Sequence, residues 1–158
     1  MNRALLLLMF WPLLAVGATL QGRVVGVVDG DTVDVLVAGH DSYRIRLSGI
    51  DAPEKAQPFG KAAKQAMSDL VMGRDVRVEY EKRDRYGRIV GVVMAGEADA
   101  GLDLIHKGLA WHYKRYANEQ TPRQRQNYDE AETSAKARRI GLWADPNPSP
   151  PWEWRHRK

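Results

Sequence analysis

Five side chains stand out for the chemistry they could do together: Asp31, Arg46, Asp51, Glu54 and Arg88, each at or beside an expected strand end or turn. Three carboxylates brought close repel one another unless a cation joins them, and two guanidiniums aimed at one place require an anion. A hard metal ion flanked by two arginines suits in-line cleavage of a phosphodiester. The set therefore reads as a metal-dependent nuclease, provided the residues meet. Hard cations such as Ca²⁺ take carboxylate, carbonyl and water oxygens. A chain with no cysteine and only four histidines offers little to a softer metal. Each piece taken alone has a plainer explanation. Asp29-Gly30-Asp31-Thr32 has the composition of a turn. Asp51-Ala52-Pro53-Glu54 has the acid spacing of a helix start. Arg46 suits a solvated strand face, and Asp84-Arg85-Tyr86-Gly87-Arg88 suits a polar hairpin.

The elements that must position these residues follow from hydrophobic periodicity. Arg23 to Val28 and Thr32 to Val37 are valine-rich runs around an Asp-Gly pair, a strong hairpin signal. Tyr43 to Ile50 alternates Tyr43, Ile45 and Leu47 against Arg44, Arg46 and Ser48, completing a meander. Asp31 then begins one strand and Asp51 ends the next, so both can lie at one edge, and Arg46 precedes Asp51 on the same strand. Apolar positions from Ala62 to Val71 recur at helical spacing, with Gly73 as a stop. Asp75 to Tyr80 and Ile89 to Met94 read as further strands, turning at Tyr86-Gly87. Leu102 to Leu109 and Arg123 to Arg139 read as two more helices. Strands interrupted by a helix in this order predict an α+β fold, a five-stranded Greek-key barrel of the OB type with three helices.

Bulk properties bound the rest. The 158 residues fit one domain, and 44% hydrophobic residues suffice for one core. The net charge of +4 suits a polyanionic partner, though a solvated basic surface explains it equally well. The expected organisation is a signal peptide at 1–18, a barrel domain at 19–144 and a Pro/Trp-rich basic tail at 145–158. Arg3 precedes an apolar run from Ala4 to Val16, and Val16-Gly17-Ala18 fits a cleavage site. That run is shorter than the roughly 20 residues that span a bilayer. The mature protein is expected in the periplasm or medium, without a membrane segment, as a monomer with no obligate protein partner. The prolines of the tail favour an extended polyproline conformation. Trp152 and Trp154 are costly to leave in water, so part of the tail is expected to pack back on the barrel.

Three motifs in this order, V-x-D-G-D-T from Val27, R-x-x-G-I-D-A-P-E from Arg46 and D-R-Y-G-R from Asp84, make the chain from Gln21 to Trp143 similar to the thermonuclease family, the staphylococcal nuclease-like domain. The resemblance implies an OB barrel with three helices and calcium-dependent hydrolysis of DNA and RNA, leaving 3′-phosphate ends. It implies Asp31, Asp51 and the carbonyl of Ala52 as calcium ligands, with Asp29 an acidic neighbour. It implies Glu54 as general base, Arg46 and Arg88 as phosphate-binding arginines, and Tyr86 as a nucleotide contact. Where the family has two pocket tyrosines, this chain has Tyr113-Lys114-Arg115-Tyr116. Tyr116 matches the second, Lys114 stands in place of the first, and either Lys114 or the neighbouring Tyr113 is the candidate to take over its role. Replacing Arg46 or Arg88 with alanine is expected to cost turnover and spare the fold, since both side chains should face ligand. The alternative is a non-catalytic nucleic-acid or protein-binding OB module of the cell envelope.

Overall fold

The computed structural model describes residues 17–157. The expected signal peptide thus lies, but for its last two positions, outside the described residues. β1 (Ala18–Asp29) and β2 (Thr32–Val37) form an antiparallel hairpin. β3 (Asp41–Leu47) joins β2 with Thr32 opposite Arg46. The alternation seen in the sequence decides which face is buried: Val33 and Val35 of β2 and Ile45 and Leu47 of β3 enter the core. After β4 (Ile50–Asp51) and helix α1 (Gly60–Val71), β5 (Asp75–Arg83) pairs with β1, and β6 (Ile89–Ala95) pairs with β5. β6 then runs parallel to β3, Ile45 opposite Ile89, so the order β3-β2-β1-β5-β6 closes on itself. This is the expected five-stranded barrel, and closure removes the open edges that invite aggregation.

Helices cover the barrel and carry the remaining short strands. α1 buries Ala63, Met67 and Val71, one stripe at a spacing of four. β7 (Ala98–Asp99) leads into α2 (Ala100–His106), which Asp99 caps by accepting the amides of Gly101 and Leu102. α2 therefore begins two residues ahead of the apolar pattern, because a polar cap rather than a leucine sets its start. β8 (Trp111–His112) pairs with β4, Asp51 opposite Trp111. α3 (Pro122–Ala137) opens on a capping box between Thr121 and Gln124 and buries Tyr128, Ala131 and Ala135. The Tyr128 hydroxyl donates to Asp99 at 2.8 Å, tying α3 to the start of α2.

The tail corrects one expectation and meets another. It is not extended throughout, because Pro151 opens a helical turn, α4 (Pro151–Trp154). Proline at the first helical position already holds the required φ, so the Pro150-Pro151 pair favours a helix start as well as a polyproline run. Trp152 packs back on the body, stacked on Tyr113 with ring centroids 5.3 Å apart. Among the described residues, no helix is long and apolar enough to cross a membrane.

Candidate active site

The β1–β2 turn is pressed against the loop after β4. A β-carbon on Gly30 would lie 2.7 Å from the Ala52 side chain and 2.8 Å from that of Ala63, so glycine is needed there for close approach. This contact lets Asp31 reach across: one carboxylate oxygen accepts the Ala52 amide at 2.7 Å, and the other accepts the Thr32 hydroxyl at 3.1 Å. Leu47 at the end of β3 donates its amide to the Asp31 carbonyl at 2.8 Å. The hairpin turn, the end of β3 and β4 thus share one edge of the barrel, but the strand expected to run from Tyr43 to Asp51 is broken. β3 stops at Leu47, Gly49 turns at positive φ, and Asp51 lies on the separate β4, which pairs with β8.

Arg46 projects from β3 into that edge and is only 15% exposed. Its Nη1 donates to the carbonyls of Leu47 and Ile50 at 2.9 and 3.1 Å. Its Nη2 lies 3.1 Å from Asp51 and 3.2 Å from Asp31, bridging the two carboxylates. Both acids are buried, Asp51 completely. Burial raises the Asp51 pKa above the usual carboxylate value against the pull of Arg155 and Arg46, and the negative charge of Asp31 adds to the rise. Asp29 accepts the Asp31 amide at 3.1 Å. Burial and then the charge of Asp31 push Asp29 up to about 6. The expectation that Arg46 faces only ligand is corrected here, since its guanidinium also neutralises two buried acids.

Glu54 sits on the loop that Pro53 opens. Gln57 closes this loop, donating its amide to the Glu54 carbonyl at 2.8 Å and accepting the Glu54 amide at 3.1 Å. The start of α1 crowds the same carbonyl: a β-carbon on Gly60 would collide with it. Arg88 leaves the β5–β6 hairpin on the opposite wall. Asp84 accepts from Arg88 Nε at 2.7 Å and from the amides of Tyr86 and Arg88 at 2.9 and 3.0 Å. Burial tends to raise the Asp84 pKa, but these hydrogen bonds outweigh it and hold the pKa below the usual value.

Asp29, Asp31, Arg46, Asp51, Ala52, Glu54, Tyr86, Arg88, Tyr113 and Tyr116 all line one cleft of about 850 Å³. Lys114 does not. It turns to Asp129 at 2.8 Å and Glu132 at 3.4 Å and lines a neighbouring groove with Trp111. The three carboxylates also do not converge as the sequence implied. Among the described residues, no group of three acidic or histidine side chains is placed to hold an ion by itself. Asp31 and Asp51 form a pair, and Glu54 is joined to Asp51 only through a guanidinium.

That guanidinium belongs to Arg155, which sequence patterning did not single out. Its Nη2 donates to Asp51 at 2.7 Å, and its Nη1 donates to Glu54 at 2.6 Å and to Asp51 at 3.2 Å. It lies 104 residues from Asp51 in a basic tail, so its only signal was the pair of tryptophans that demanded burial. Asp84, which orients Arg88, was visible only as part of its hairpin motif.

Known proteins are similar in sequence to most of this chain. Residues 44–145 match the family described as staphylococcal nuclease homologue. An Escherichia coli protein named as an uncharacterized endonuclease is 43% identical over 149 residues, covering 94% of this chain and 92% of its own length. A Shigella flexneri protein named micrococcal nuclease is 42% identical over 147 residues, covering 87% of this chain and 82% of its own. A Haemophilus influenzae protein, also named as an uncharacterized endonuclease, is 41% identical over 136 residues, covering 86% and 73%. The alignments to these relatives run well beyond the 102 residues of the family match, and the barrel closes as that family's fold requires. The chain belongs to the staphylococcal nuclease family.

Proposed function

We propose that this protein is a sequence-nonspecific nuclease that hydrolyses phosphodiester bonds of DNA and RNA by water attack, depends on Ca²⁺ and leaves 3′-phosphate ends. The observation that carries this reading is the meeting of Asp31, Arg46, Asp51, Glu54 and Arg88, drawn from separate turns and strands, around one open cleft.

The donor set fits a hard cation. Asp31 and Asp51 are buried oxygen donors that the protein must neutralise, and here guanidinium groups do so. Calcium completes such a site with a backbone carbonyl and water. Asp31, Asp51 and the Ala52 carbonyl would hold it. Bound there, Ca²⁺ supplies Lewis-acid polarisation of a phosphoryl oxygen.

The remaining work falls to side chains of this chain. Glu54, partly exposed on a loop that Gln57 holds in shape, would take the proton of the attacking water once its contact with Arg155 is released. Such general-base help typically contributes about 10²–10⁴-fold. Arg46 and Arg88 donate to the phosphoryl oxygens as negative charge grows on them. Asp84 grips Arg88 at Nε, which leaves the outer fork of the guanidinium for the ligand. Phosphate contacts carry no base information, which accounts for the lack of sequence preference. Tyr86, 68% exposed on the rim, and Tyr116, 43% exposed, offer ring faces on which any base can stack. Tyr113 is covered by Trp152 and contributes to the wall.

The chemistry of the product ends tests the reaction. Fragments from a single-stranded DNA digest should fail to prime a polymerase until a phosphatase has removed the 3′-phosphate. Fragments that prime directly would overturn the assignment of the leaving oxygen.

A further inference from the structure

The third guanidinium in the cleft comes from the C-terminal segment and not from the barrel, and the segment is held by more than that contact. Gln57, from the Glu54 loop, donates to the Ser149 carbonyl at 2.6 Å. Trp152 stacks on Tyr113 and meets Trp111 edge-on at 5.4 Å. Arg155 then reaches past Trp152 and spends its fork on both oxygens of Asp51 and on Glu54. The anchor at Ser149 and the ring at Trp152 fix the approach, so Arg155 is delivered to these carboxylates by the fold.

We propose that Arg155 is a built-in occupant of the cation position, which Ca²⁺ must displace from Asp51 and Glu54 before the site can work. This rests on the reading that Asp31 and Asp51 hold calcium. Both oxygens of Asp51 already accept from Arg155, and one also accepts from Arg46. A divalent ion bonded to those oxygens would lie beside the like charge of Arg155. Occupancy by one disfavours the other. Arg155 is 41% exposed, against 15% for Arg46, so it is the guanidinium that can leave into water at small cost. Its release also frees the Glu54 carboxylate to accept a proton. The C-terminal segment thereby sets the calcium concentration at which the protein becomes competent. An apparent dissociation constant equals the intrinsic one divided by the fraction of molecules competent to bind. A segment docked about nine-tenths of the time raises it roughly tenfold.

Calcium titration calorimetry without nucleic acid, on the intact protein and its Arg155→Gln and Trp152→Ala variants, tests this. Trp152→Ala loosens the segment without changing any carboxylate or arginine of the sequence. Both variants should bind Ca²⁺ roughly tenfold more tightly than the parent. Calcium should also speed tryptic cleavage within the C-terminal segment of the parent. Equal dissociation constants in all three proteins would overturn the competition and leave the calcium site standing. Absence of calcium binding in all three would overturn the calcium reading, and the competition with it. An Arg155→Gln protein with unchanged calcium affinity but impaired cleavage would assign Arg155 to the substrate and overturn the proposal.

Discussion

Asp29 forms no ion pair among the described residues, though its charge is felt by Arg44, and its raised pKa has a direct consequence. The carboxyl titrates near 3.8 in the unfolded chain and about 6 in the folded protein. The folded state thus holds its proton to higher pH, and the cost of ionising it grows as pH rises from the lower value to the upper one. In metal-free protein, Asp29→Asn should raise thermal stability at about pH 8, keeping the acceptor for the Asp31 amide. The gain should shrink below about pH 6 and vanish near pH 4, which melts across that range will show. The two arginines should also part company. Arg88→Ala should lower kcat about 10²–10³-fold with little change in melting temperature, because its contacts, the Asp84 pair and the Tyr86 ring, lie at the rim. Arg46→Ala should lose comparable activity and about 3 kcal/mol of stability, since it leaves the buried Asp31 and Asp51 less compensated. Equal melting temperatures for the two variants would contradict that distinction. The acids and arginines themselves were legible in the sequence because they sit in motifs of fixed spacing. Arg155 was not, since nothing in the order of residues says where a tail will fold back.

At the scale of elements, the strands that alternate were readable and the strands that do not were invisible. β2 runs from Thr32 to Val37 as its valines suggested, and β6 ends within a residue of expectation. β1 starts earlier than its valine-rich part because Ala18 to Gly22 pair with β5, and a pairing partner leaves no mark on local periodicity. β4, β7 and β8 are two residues each, too short to alternate, and β4 and β8 exist only by pairing with each other. Yet β4–β8 positions Asp51 and brings Tyr113 to the cleft, where its amide donates to the Gly49 carbonyl at 2.8 Å. The start of α1 offers a sharper test of how an element holds Glu54, the proposed general base. Gly60→Ala would drive a β-carbon into the Glu54 carbonyl, so the loop or the helix must move. We expect a loss of about 1–3 kcal/mol in denaturant melts, together with lower kcat because Glu54 is displaced. A variant as stable and as fast as the parent would show that Glu54 does not depend on this packing.

Across the whole molecule, barrel closure makes the site. Arg46 on β3 and Arg88 just before β6 come to the same cleft because β3 and β6 run side by side, a pairing between strands far apart in the chain. The net charge of +4 pointed only weakly to a polyanion. The arrangement of Arg46, Arg88 and Arg155 around buried acids is far more specific than that sum. The segment after β8 adds a wall through Tyr113 and Tyr116, and the C-terminal segment adds Trp152 and the occupant that any divalent ion must meet. The central claim is that these groups act with calcium on one backbone linkage. The measurement that tests it most directly is cleavage of plasmid and single-stranded DNA by the purified protein, with calcium and with excess chelator. Cleavage of both substrates in calcium, abolished by chelator and restored when calcium is returned, is the expected result. Undiminished cleavage in chelator, or none in calcium, would contradict it.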